Sequence, residues 1–168
     1  MVQCTSEKPA KAQALGDGVF WLSHDFRDSL FIEFDDHLMM VGCLRGVAQR
    51  IEHIKKRFPD KPIKYALITH HHGDHIGGNQ DILDADITFI VAAAHEQTVL
   101  NELNERGCVK AKFSRITDKH VFEDENQRVE IYDIGPTPHA EYFLVAYVPK
   151  RKIIFETDHS GTYDPCPP

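Results

Sequence analysis

The sequence has no long apolar run: nothing in it approaches the roughly 20 residues needed to cross a bilayer, and the N-terminus lacks the apolar core of a secretory signal. We therefore expect no membrane partner, a cytoplasmic location for the sequence as it stands, and a periplasmic one if a leader once preceded it. Positive charge is scarce too. Lys and Arg total 19 against 26 Asp and Glu, for a formal net charge of −7, and the basic residues gather only in short runs such as Lys55, Lys56 and Arg57. A polyanion would be repelled, so nucleic acid is not an expected partner. Cysteine is sparse and scattered. Cys4, Cys43, Cys108 and Cys166 include no close pair of the kind that builds a thiolate metal site or a redox dithiol. No internal repeat and no low-complexity segment is present.

What is there belongs to an ordinary soluble domain. Of 168 residues, 42% are hydrophobic and 27% charged, enough apolar material for one domain with a real core. Residues 1–15 are polar and aperiodic and read as a flexible lead-in, leaving 16–168 as a single domain. Segments 18–22, 29–34 and 38–41 read as short strands separated by Asp-rich turns. Val47, Ile51, Ile54 and Phe58 recur at helical spacing, with Gln49, Arg50, Glu52, Lys55 and Lys56 on the other faces and Pro59 as a stop. Residues 63–69 form a β-branched, apolar run that reads as a buried strand. A strand at 87–91 and a helix at 94–106 follow, the helix with Val99, Leu100 and Leu103 inward and Gly107 as its C-terminal cap. Three more strands are expected at 128–134, 142–148 and 152–157. The class is α/β.

The chemistry concentrates immediately after the strand at 63–69. Thr69-His70-His71-His72-Gly73-Asp74-His75 puts imidazoles and a carboxylate within a few positions. Neutral imidazole is a preferred nitrogen donor for zinc. In extended chain His70 and His72 project to one side and His71 to the other, so the first two can share an ion. Gly73 is expected to let the chain turn sharply, aiming Asp74 and His75 at a second ion, with Gly77 and Gly78 where a helix start packs close. A solvated His-rich loop is the bland alternative, and the preceding strand and the aspartate argue against it.

Residues 69–75 resemble the HxHxDH signature of the metallo-β-lactamase superfamily, and the order of strands and helices from about Gly16 to Asp158 looks like the first half of its αββα sandwich. The resemblance implies further ligands. Gly135-Pro136-Thr137-Pro138-His139 resembles the loop that delivers the third histidine of the first metal position, although no glycine directly precedes His139. Phe155-Glu156-Thr157-Asp158 resembles the strand end that supplies an aspartate bridging both metals, whereas alone Asp158 would read as a turn former. The family's usual last histidine has no counterpart, because only ten residues follow Asp158, and His159 sits on what should be the wrong face. The fold is therefore expected to be a metallo-β-lactamase-like sandwich with its C-terminal elements truncated. His24, His37, His53, His95 and His120 are expected to be non-ligands, and His24 to be the one to test at a pocket mouth.

The function implied is a zinc-dependent hydrolase that uses a metal-bound hydroxide to cleave an amide, lactam, ester or thioester bond in a small molecule. His70, His72 and His139 would hold one zinc; Asp74, His75 and the bridging Asp158 would hold another, with Asp74 also a candidate catalytic group. The alternatives are a mononuclear iron persulfide dioxygenase, whose iron ligands would match His70, His139 and Asp158, and a truncated metal-binding fold without activity. A sheet face left uncovered would favour a homodimer.

Overall fold

A computed structural model describes residues 10–42, 45–76, 86–105 and 111–158. Eleven strands form two sheets, one of seven strands in the order β1 to β7 and one of four in the order β11-β10-β9-β8. The first sheet opens as an antiparallel meander, β1 (Lys11–Gly16), β2 (Val19–His24), β3 (Arg27–Glu33) and β4 (Leu38–Gly42). It continues in parallel through β5 (Ile63–Leu67), β6 (Thr88–Ala92) and β7 (Lys112–Ile116). Parallel neighbours need a crossover. Helix α1 (Val47–Arg57) supplies it between β4 and β5, and α3 (Glu96–Glu105), entered through a single 3-10 turn at Ala93–His95, supplies it between β6 and β7. The second sheet is antiparallel throughout: β8 (Lys119–Glu123), β9 (Arg128–Asp133), β10 (Leu144–Val148) and β11 (Ile153–Phe155).

Burial follows from that layering. All five residues of β4 are buried, as expected of a strand covered on both faces. Along β3 the side chains alternate between two cores. Phe31 joins Phe20, Met40, Ile54, Val99 and Leu103 beneath the helices, while Leu30 and Ile32 join Met39, Val41, Leu67 and Ile90 against Ile131, Leu144 and Ala146 of the second sheet. Both longer helices pack on the seven-stranded sheet, so the described residues form the α, β and β layers of a sandwich. No helix among them is long and apolar enough to cross a membrane.

Three strands depart from the sequence expectation. β1 occupies part of what reads as a flexible lead-in; its outward Lys11, Ala12, Gln13 and Ala14 are all exposed, and backbone pairing with β2 rather than burial defines it. β7 and β8 are likewise sheet edges, half-exposed and rich in Lys, Arg and Glu, without the apolar alternation that marks a core strand. Arg50, expected on the polar face of α1, is fully buried and donates to the carbonyl oxygens of Arg27 (3.2 Å) and Arg45 (3.1 Å). Of the inward α3 residues, Val99 and Leu103 are buried and Leu100 is half-buried. Gly107 and all four cysteines lie outside the described residues.

Candidate metal centre

Clefts in open parallel sheets form beyond the carboxyl ends of the strands, and β5 delivers its histidines there. After Leu67 the chain runs through Ile68 and Thr69 into His70, then His72, and turns into α2 (Gly73–Ile76), where the amides of His75 and Ile76 donate to the His72 carbonyl at 2.9 and 3.2 Å. Gly73 takes neither a positive φ nor a close approach, since a Cβ there would meet nothing within 4 Å. The sharp turn expected of it is made by an ordinary helix start. Gly77, Gly78 and His159 fall outside the described residues.

The second sheet supplies the rest. Between β9 and β10, Gly135 turns with φ +73°, and Thr137 then fixes the following residues. Its hydroxyl accepts from the amides of His139 (3.2 Å) and Ala140 (3.0 Å), and its own amide donates to the Ala140 carbonyl (2.8 Å). That local turn holds His139 without the glycine that usually precedes it in the family. Asp158, three residues beyond the end of β11, sits at φ +78°, a left-handed conformation that aspartate tolerates better than most residues. The two sheets are stitched next to the site by the Leu144 amide donating to the Thr69 carbonyl at 2.8 Å.

These loops converge. His70 Nε2, His72 Nδ1 and His139 Nε2 lie 3.0 to 3.1 Å from one another. The three rings stand nearly perpendicular in pairs, at 78° to 82°. Three neutral imidazoles cannot satisfy one another in such a triangle, because each ring nitrogen carries either one proton or one lone pair. A point slightly off the triangle's plane lies about 2.0 to 2.1 Å from all three, which is the zinc to nitrogen distance. Asp158 Oδ2 stands beside the triangle, 3.3 Å from His70 Nε2 and 3.1 Å from His139 Nε2. His70, His72, His139 and Asp158 thus form a group able to hold a metal ion, the one such group among the described residues.

The same Asp158 oxygen is 2.9 Å from His75 Nε2, and Asp74 Oδ2 is 3.4 Å from that nitrogen on the other side. His75 is buried, with the Asp158 carboxylate as the near polar neighbour of its Nε2. A buried imidazole nitrogen flanked by two carboxylates is the kind of donor set a second cation would need. Asp74 is half-exposed.

Electrostatics agrees with ligand duty. His70 is 2% exposed, and burial, reinforced by the His75, His72 and His139 imidazoles, pushes its pKa down to about 2. Burial also lowers His75, against the opposing pull of Asp158 and Asp74. Both are therefore neutral at pH 7, the state a cation requires. Phe143, fully buried, stacks on the His70 ring at 4.9 Å and 16°.

His24, His37 and His95 are buried rather than exposed, at 5%, 8% and 7%. His24 closes β2 opposite Arg27. His37 stacks on Phe34, and His95 packs its ring against His71 (4.3 Å) and Tyr142 (4.9 Å), so the imidazole that points away from the triangle has its own support. Sequence reasoning passed over Thr69, Thr157, Thr137 and Phe143 as site residues. For the first two the signal was visible in the strings already quoted, since a threonine immediately precedes His70 and another precedes Asp158.

Comparison with known proteins adds the following. The family described as the Metallo-beta-lactamase superfamily matches residues 23–165. Ribonuclease J of Mycoplasma genitalium is 23% identical over 167 aligned residues, which cover 91% of this chain but only 28% of that protein. Among solved structures, the metallo-beta-lactamase FIM-1 from Pseudomonas aeruginosa in its mono-zinc form superposes with a TM-score of 0.67 at 25% identity, over 88% of this chain and 68% of that one. The Flv1 flavodiiron core from Synechocystis sp. PCC6803 gives a TM-score of 0.73 at 13% identity, over 89% and 42%.

Proposed function

Since this chain belongs to the metallo-beta-lactamase superfamily, we propose that it is a zinc-dependent hydrolase of a small-molecule amide, lactam, ester or thioester. One observation carries the reading: three imidazole nitrogens lie 3.0 to 3.1 Å apart with a carboxylate oxygen alongside, a donor set suited to zinc. Bound there, zinc would supply Lewis acidity and a water acidified to near neutral pH. The chain's own residues do the rest. His70, His72 and His139 hold the first position, and Asp74, His75 and Asp158 the second, with Asp158 Oδ2 between them. Asp74, half-exposed beside His75, is the candidate proton acceptor for the attacking water. The net charge of −7 favours a small substrate over a polyanion, even though the curated relative is a ribonuclease.

Protein purified without chelator and subjected to elemental analysis should carry zinc, and should hydrolyse at least one member of a panel of chromogenic lactams, lactones and thioesters. Folded protein that takes up no metal would overturn the proposal.

A second reading is favoured by one subset of the same atoms. His70, His139 and Asp158 make two histidines and one carboxylate, the set used by mononuclear non-haem iron, and a flavodiiron core shares the fold. Iron instead of zinc in that analysis, with oxygen uptake on glutathione persulfide, would select it.

A further inference from the structure

The two metal positions are joined from behind. Thr69 Oγ1 lies 3.1 Å from His70 Nδ1, Thr157 Oγ1 lies 3.3 Å from His75 Nδ1, and the two hydroxyls are 2.6 Å apart. Thr69 is 1% exposed and Thr157 9% exposed, so this contact is shielded from water. Each threonine immediately precedes a ligand, one on the first sheet and one on the second.

We propose that Thr69 and Thr157 are positioning residues that set the tautomers of His70 and His75 and tie the two cation positions together; this rests on the metal-centre reading above. A cation can be held only by an imidazole nitrogen that carries a lone pair. If Nε2 is to face the ion, Nδ1 must carry the proton and that proton needs an acceptor. Thr69 Oγ1 accepts it from His70 and Thr157 Oγ1 accepts it from His75. One hydroxyl then donates to the other, which closes the row across the sheets. That leaves the lone pair of His75 on Nε2, the buried nitrogen 2.9 Å from Asp158 Oδ2, where a cation shared with that carboxylate would sit. Of the two partners, Thr69 serves the first position and Thr157 the second. Loss of either hydroxyl also removes a hydrogen bond from the other, so the effects should not be independent.

The test is cobalt(II) titration of the full chain, read by its visible absorption and by competition with a chromophoric chelator, on wild type, Thr69→Val, Thr157→Val, the double variant and Thr157→Ser. Valine keeps the shape and removes the hydroxyl. Thr69→Val should weaken the first ion about tenfold or more, Thr157→Val should weaken the second ion by a similar factor, and each should alter the cobalt spectrum. The double variant should lose less than the product of the two single losses, and Thr157→Ser should restore wild-type binding. If Thr69→Val does not fold, the Thr157 Val and Ser pair at the less buried position decides the matter alone. Wild-type affinities and spectra in folded valine variants would overturn the proposal while leaving the metal centre standing. A wild type that binds no cobalt would overturn both.

Discussion

Each imidazole in the triangle has a separate duty, and removing one should show it. His139→Ala deletes the member of the triangle that comes from the second sheet, so bound zinc should fall at least about tenfold by elemental analysis while the far-ultraviolet circular dichroism is kept. Asp74→Asn should lower kcat by about 10² to 10⁴ on whatever substrate the panel reveals, with the second ion lost from the stoichiometry. Proton linkage gives a further residue-scale expectation. Burial holds His70, His71, His75 and His95 below the ordinary imidazole value of 6.5, so the unfolded chain binds protons more readily than the folded one. The stability they allow is fully present above about pH 6.5 and is lost as pH falls toward their folded values, about 2 for His70. Urea midpoints of metal-free protein should therefore drop steadily between pH 7 and pH 5.

At the scale of elements, the loops that carry ligands are held by contacts with strict geometry. Gly42 ends β4 at φ +111°, and a Cβ there would sit 2.9 Å from the Asp28 carbonyl oxygen and 2.9 Å from the Phe155 ring. Gly42→Ala should cost about 1 to 3 kcal/mol in chemical denaturation, from strain and overpacking together. Arg50 ties α1 to the carbonyls of Arg27 and Arg45, and the Arg45 amide in turn donates to the Asp74 carbonyl at 3.3 Å. Arg50→Met, which takes a fully buried guanidinium away from the two carbonyls it serves, should cost about 2 to 4 kcal/mol. The elements with a buried face were legible in the sequence: α1 from its 47, 51, 54, 58 stripe, β4, β5 and β6 from apolar runs. β1, β7 and β8 were not, because an edge strand is defined by backbone pairing and its solvent-facing side chains carry no period. The site divides in the same way. His70, His72, Asp74 and His75 announce themselves by local spacing, His139 and Asp158 only through family likeness. The Thr69 and Thr157 contact spans 88 positions and no local pattern encodes it.

The whole molecule places its candidate cation ligands on a seam. His70, His72 and His75 leave the seven-stranded sheet, His139 and Asp158 leave the four-stranded one, and His72 and His139 stand 67 positions apart in the chain while their nitrogens are 3.0 Å apart. An ion seated there would work as a rivet between two plates otherwise held by apolar packing and a few hydrogen bonds such as Leu144 to Thr69. Its binding energy becomes resistance to delamination, about 2.7 kcal/mol when free metal stands a hundredfold above its dissociation constant. Amides of β10 and β11 should accordingly exchange with deuterium more slowly once zinc is added, and chelator should return them to the fast regime while leaving α1, on the far plate, unchanged.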